Sequence, residues 1–336
     1  MEPTRRRFLK TTAAGIAGAS AASTHASAIA SLSDQQDSDT GIPTRALGKS
    51  GARVSIVGLG GWHIGSIPET EAIPIMHEAI EAGMTFFDNS WDYHRGGSEE
   101  VMGKALDSSS RRDKVFLMTK CCARDYHGAR RHLDESLRRL RTDHLDIWQF
   151  LEINYKVDPR WLFELGAVRA AREAQEAGKV RHIGFTGHND PALHLEVLKR
   201  SHDWASIQMP INALDAHFRS FQDALMPVCR EHGIGVIGMK ALAGGALPAQ
   251  LGVDAQLCRR YSLSLPISTL VCGITSRDEL HQDLAVARDF KPLQQDKIDA
   301  LLARVEEPAD TGKYERFKTV PYFGDSYHHA QHGVKR

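Results

Sequence analysis

The chain has 336 residues, with 42 basic and 42 acidic side chains and no net formal charge. That balance gives no electrostatic reason to expect nucleic acid or an anionic membrane as a partner, and it leaves a soluble enzyme of small molecules as the open class. About 300 residues make either two domains or one large β/α barrel, so length alone does not choose. The five cysteines, Cys121, Cys122, Cys229, Cys258 and Cys272, are odd in number and lack CxxC spacing. They read as small apolar side chains, not as a disulfide framework or a metal set.

The chain opens with TRRRFLK from Thr4, then a weakly apolar run rich in Ala, Gly, Thr and Ser, then Ala26, Ser27 and Ala28. A basic start, a short apolar centre and an AxA-like site are the parts of a secretory signal. The paired arginines before Phe8, Leu9 and Lys10 make it resemble a twin-arginine export signal. A disordered basic tail is the plainer alternative. The centre is too short and too polar for a stable transmembrane helix. Residues 1–30 are therefore expected to be a signal and 31–41 a linker, with cleavage near Ala28 or Ala30 leaving a periplasmic or otherwise exported protein. The export machinery is then a partner. Losing residues 1–30 takes away Arg5, Arg6, Arg7, Lys10 and Glu2, which leaves the rest slightly acidic.

Past the linker, apolar runs alternate with amphipathic stretches. PTRALGKSGARV suits a hairpin on a barrel floor. VSIVGLG precedes a helix from about Thr70 to Ala82; MTFFD precedes a helix from Ser98; VFLMTK precedes GARRHLDESLRRL. HLDIWQF, VRHIGF, ASIQMP, GVIGM and STLVCGI follow, each with a helical pattern behind it. Eight strand-helix units with nothing left for a second domain predict a single eight-stranded parallel β/α (TIM) barrel over 42–306. The N-terminal β-hairpin and a C-terminal tail over 307–336 complete the α/β fold. GLGGWHIG offers Gly58 and Gly60 as a partial Rossmann loop, but His63 stands at the third glycine position and no helix starts at once.

Two of these strands end in charge. The segment from Met84 to Phe87 stops at Asp88, and VFLMTK stops at Lys120. Desolvating either charge is costly unless it is paired or used, and parallel neighbours bring both to one rim, with Tyr93 in the loop above. In the plain alternative these form a rim salt bridge beside a half-buried aromatic. A nearby cation lowers a phenol from its ordinary value of about 10, so Tyr93 is expected to be acidified, with Asp88 holding Lys120. A tuned tyrosine beside a hydride carrier protonates a carbonyl oxygen or deprotonates an alcohol.

Asp88, Tyr93 and Lys120 in this spacing resemble the catalytic residues of the aldo-keto reductases. The resemblance runs from the hairpin to about Phe290 and includes VGLGGW, FFDNSWDY with GGSEE, LDIWQF, GKVRHIGF and Gln208. It implies an NAD(P)H-dependent oxidoreductase acting on a small carbonyl compound, with Tyr93 as general acid/base, Lys120 as its modulator and Asp88 as the orienting carboxylate. It also implies that Thr186 and Gln208 grip the nicotinamide carboxamide, that Met239 covers the ring, and that Lys240, Leu242 and the backbone around Gly244 serve the pyrophosphate. Thr275 and Arg277 fall where the family holds the ribose phosphate, and Asp283 where it meets adenine. NADP is the first expectation and NAD the alternative, because Glu279 stands where a basic residue is common. Trp62, Trp91 and Tyr126 would wall the substrate pocket.

The chain also departs from the pattern. The family's histidine after the fourth strand is Leu151 here, and Glu152 should face away by strand alternation unless the strand has ended. Losing such a donor typically costs about 3–4 kcal/mol of transition-state stabilisation. His63, His94 and His188 are alternative rim donors. Leu151 motivates a second function, a dinucleotide-binding sensor or partner subunit with little turnover. A metal-dependent hydrolase is a third, opposed by the lack of HxH or HExxH at the strand ends. His328, His329 and His332 lie in a tail without a carboxylate framework, so the tail is read as a lid and no metal is assigned.

Overall fold

The computed structural model describes residues 35–36, 40–320, 323–324 and 326–333. The expected signal and most of the linker lie outside the described residues. Two short antiparallel pairings place β1 (Gln35–Gln36) beside β2 (Pro43–Ala46) and β2 beside β3 (Arg53–Ser55). Eight parallel strands then close into a barrel: β4 (Val57–Gly60), β5 (Phe86–Asp88), β6 (Phe116–Cys121), β7 (Leu145–Phe150), β8 (Val180–Thr186), β9 (Ser206–Pro210), β10 (Gly235–Met239) and β11 (Thr269–Cys272). Each pairs with its sequence neighbour, and β11 pairs with β4 to close the ring.

The strands form because their residues are apolar and are covered on both faces. All six residues of β7 are buried, as parallel strands between a filled interior and an outer ring of helices require. Local signals set the helices between them. Asp125, Asp190, Ser220, Asp254 and Ser276 each accept a backbone N–H of the following first turn, which satisfies donors that the helix cannot. The resulting helices, Tyr126–Leu140, Pro191–Arg200, Phe221–His232, Ala255–Ser264 and Arg277–Arg288, fall within a few residues of the expected ones.

One sequence boundary needs correction. VSIVGLG is not a single strand: Arg53–Ser55 belongs to the hairpin, and the barrel strand begins at Val57. The Ser55 hydroxyl makes the corner, donating to the Val57 carbonyl at 2.7 Å and accepting the Thr85 N–H at 2.9 Å. The hairpin does plug the barrel. Leu47 and Val54 pack with Phe86, Met118, Ile147 and Ile237 in one buried cluster, which leaves the carboxyl ends of the strands as the working rim.

The tail is ordered by contacts with that rim. Helix Gln295–Ala309 runs through the expected boundary at 306, and short helices follow at Arg316–Thr319 and Ser326–His332. Lys318 is fully buried, donating to Asp215 at 2.6 Å and lying 2.8 Å from Glu315. Among the described residues, no helix is long and apolar enough to cross a membrane.

Candidate active site

β5 and β6 are hydrogen-bonded neighbours, with Asp88 opposite Met118. Lys120 lies two residues farther along β6, and its ammonium donates to the Asp88 carboxylate and, at 2.8 Å, to the Asn89 carbonyl. It also stands 3.4 Å from the Tyr93 hydroxyl. Gln208 on β9 donates its amide to the other Asp88 oxygen at 3.1 Å. Burial pushes the Asp88 carboxyl up, opposed by the Lys120 charge and the two side-chain hydrogen bonds. The expected triad is thus assembled at the rim.

Tyr93 reaches this position through a strained turn. His94 and Arg95 adopt left-handed backbone angles with φ of 52° and 57°, and Gly96 follows at 94°. Left-handed non-glycine residues cost about 1–2 kcal/mol each. The turn is fixed by Trp62, whose carbonyl lies 2.7 Å from His94 Nε2 and whose ring meets Tyr93 edge-on at 5.3 Å. Trp62 is otherwise half exposed, as a pocket wall should be.

The phenol is not acidified. Burial raises the Tyr93 pKa well above its ordinary value, and the Asp88, Asp92 and Glu152 carboxylates add to the effect. The expectation counted the Lys120 cation but not the burial, the effect of Asp88 on the phenol, or the carboxylates of Asp92 and Glu152. Lys120 is already committed to Asp88, which shields much of its charge from the phenol. The Tyr93 phenol therefore keeps its proton near neutrality.

The proposed cofactor residues divide into two groups. Thr186 and Gln208 end or lie within β8 and β9, both buried, and Met239 ends β10 half-buried. Gln208 Oε1 is buried without a hydrogen-bond partner among the described residues, so an acceptor remains for an amide N–H. Lys240 follows with a left-handed φ of 59°, and burial lowers its pKa. Gly244 and Gly245 have φ of 67° and 92°, and the space where their side chains would stand is open. Such turns expose backbone N–H groups to an anion, so these residues fit a nicotinamide dinucleotide. Leu242 leans on the adjoining apolar cluster of Leu247 and Tyr261.

The adenosine end fits less well. Asp283 is fully buried and ion-paired with Arg259, which corrects its assignment to adenine: the carboxylate is spent inside the protein. Arg277 is exposed and lies 3.5 Å from Glu78. The Glu279 carboxylate accepts both the Thr275 N–H at 2.7 Å and its hydroxyl at 2.8 Å. Tyr126 is also misplaced as a pocket wall, since its hydroxyl donates to Glu173 on a neighbouring helix.

Beyond β7 the chain departs from strand geometry. Leu151 is buried in a cluster with Trp91, Cys122 and Tyr327. Trp91 also stacks on His132 at 3.6 Å and donates to Glu135 at 2.7 Å, so it supports the pocket from beneath. Glu152 has a φ of 49°, which breaks the alternation and turns its carboxylate inward. Glu152 lies 3.0 Å from His188 Nε2 and 2.7 Å from His328 Nε2. Burial alone would raise its pKa, but the two imidazoles outweigh it and hold the carboxyl well below the usual range. His328 also lies 2.5 Å from Asp92 through Nδ1. Of the rim histidines, His188 is engaged here and His94 with Trp62, while His63 is exposed beside Gly273. Sequence reasoning turned Glu152 away unless the strand had ended, and the strand does end at Phe150; it did not name Asp92, because the return of the tail leaves no local signal.

The sequence profile of the aldo/keto reductase family matches residues 56–259. An uncharacterized oxidoreductase of Bacillus subtilis, YrpG, is 32% identical over 273 residues, which cover 71% of this chain and 81% of that protein. An L-galactose dehydrogenase of Arabidopsis thaliana is 26% identical over 318 residues, 80% of this chain and 96% of the relative. Among solved structures, the holo form of the Bacillus halodurans aldo-keto reductase AKR11C1 superposes with a TM-score of 0.69 at 25% identity, covering 78% of this chain and 96% of that one. A Klebsiella pneumoniae aldo/keto reductase in complex with NADP and acetate shares the fold, with a TM-score of 0.63 over 77% of this chain and 94% of its own at 21% identity. The profile spans the strands that carry Asp88, Lys120, Thr186 and Gln208, and with these relatives it shows that the chain belongs to the aldo/keto reductase family.

Proposed function

We propose that this NAD(P)-dependent oxidoreductase reduces a small carbonyl compound, an aldehyde, ketone or quinone, with Tyr93 as the proton donor. The carrying observation is the buried contact chain Gln208–Asp88–Lys120–Tyr93 at the strand ends. When bound, the reduced dinucleotide supplies the hydride. Tyr93 protonates the substrate oxygen, and Lys120 stabilises the phenolate that remains while Asp88 holds it in place. With its pKa raised by burial and the nearby carboxylates, Tyr93 carries its proton near neutrality, the form that donates to a substrate oxygen. Trp62 walls the substrate side, and Leu151 makes the far wall apolar. Single-turnover oxidation of bound reduced cofactor by a panel of carbonyl compounds tests the reading.

Leu151 supports a second reading, a dinucleotide-binding protein with little turnover. Its enclosure among Trp91, Cys122 and Tyr327 leaves no hydrogen-bonding side chain at that position. Tight cofactor binding without turnover would favour it.

NADP is the first choice of cofactor, and the one found with the Klebsiella relative. Glu279, however, satisfies Thr275 as an anion would, and a 2′-phosphate must displace or repel it. Glu279→Lys should therefore tighten NADPH relative to NADH by about tenfold or more, near 1.4 kcal/mol, read by nicotinamide fluorescence. An unchanged ratio would remove this helix start from the phosphate site.

Residues 1–30 are proposed as a twin-arginine signal that exports the chain already folded around its cofactor. Replacing Arg5 and Arg6 together with Lys should hold the full chain in the cytoplasm on fractionation. Export unaffected by that change would mean a signal that does not need the arginine pair, and an unaltered chain found only in the cytoplasm would leave the segment a plain basic tail.

A further inference from the structure

We propose that Cys122, His328 and His332 form a binding site for one divalent transition-metal ion of the zinc type, which fastens the C-terminal helix over the barrel mouth. All three are buried, and one ligand atom from each lies within 4.8 Å of the others. His328 and His332 are four residues apart on the helix Ser326–His332. That spacing puts both imidazoles on one face. Cys122 meets them from the barrel, just after β6. A thiolate with two imidazoles is a borderline-soft donor set suited to zinc.

The surroundings supply what such a site needs. Metal-bound histidines commonly donate their second ring nitrogen to a carboxylate, and His328 Nδ1 lies 2.5 Å from Asp92 Oδ2. Its Nε2 is then directed to the site, where Glu152 Oε2, 2.7 Å away, is a fourth oxygen ligand within reach. His332 Nε2 is buried without a hydrogen-bond partner among the described residues.

One contact opposes binding. Arg124 donates to His332 Nδ1 at 3.1 Å, and an ion that takes this ring's lone pair breaks that bond. Arg124 keeps its bonds to the Cys122, Leu151 and Glu152 carbonyls and to Asp158, so it stays as the buried strut under the site. No local pattern joins the tail histidines to Cys122, more than 200 positions away. The metal site does not rest on the proposed hydride chemistry, although Asp92, Glu152 and Cys122 also bear on the Tyr93 phenol.

The test is cobalt(II) and zinc(II) titration of the chelator-stripped chain, with metal content per chain and the cobalt spectrum as readouts. One ion per chain and a thiolate-to-cobalt charge-transfer band, absent in Cys122→Ser, are expected. His332→Ala lies outside the barrel and should weaken binding by more than about a hundredfold, while Asp92→Asn should cost the 10–100-fold typical of an outer partner. His127→Ala, on the outer helix, should bind as wild type. No retained ion, or an ion held equally well by Cys122→Ser and His332→Ala, would overturn the site.

Discussion

Tyr93→Phe should lower the rate of hydride transfer to a carbonyl substrate by about 100- to 10,000-fold, the range for losing a general acid. Cofactor affinity should be unchanged, since the phenol hydroxyl contacts Lys120 and not the residues assigned to the dinucleotide. The ring should keep its edge contact with Trp62, so thermal stability should hold as well. Single-turnover absorbance of bound reduced cofactor separates these effects. A variant that turns over as fast as wild type would remove Tyr93 from the chemistry and direct attention to the Glu152 and His188 cluster.

Lys120→Met should be costly in a different way. It leaves the Asp88 carboxylate buried with only Gln208 to answer it, and breaking a buried pair from one side costs about 3–5 kcal/mol. In a chain of this size that is a fall in Tm of roughly 6–10 °C. Adding Asp88→Asn should restore most of the stability, because the stranded charge is gone, yet restore none of the activity. This double variant distinguishes the two roles of the pair. If Lys120→Met alone is as stable as wild type, the pair is not sealed from solvent in the way its geometry requires.

The barrel was legible because its evidence is periodic and local. Eight apolar runs separated by amphipathic stretches leave few alternatives, and Asp88 and Lys120 stood out as charges ending apolar strands. Contacts made at long range were not legible. The Tyr93 phenol is raised, not lowered, because Asp92 and Glu152 approach it through turns that propensity does not encode. Glu152 points inward because it lies past the end of the strand with a φ of 49°, so strand alternation does not reach it. Asp283 was assigned to the cofactor by its place on the helix, whereas its partner Arg259 comes from the preceding one. The tail reads as a lid, but its anchors, Asp92, Arg124 and Asp215, are not legible locally because they are scattered over the barrel.

The most direct test is to titrate the purified chain with NADPH and with NADH, following nicotinamide fluorescence, and then to mix the complex with aldehydes, ketones and quinones in a single turnover. Saturable binding followed by oxidation of the bound cofactor, lost in Tyr93→Phe, is the expected result. Absence of any dinucleotide binding would contradict both the reductase and the binding-protein readings at once.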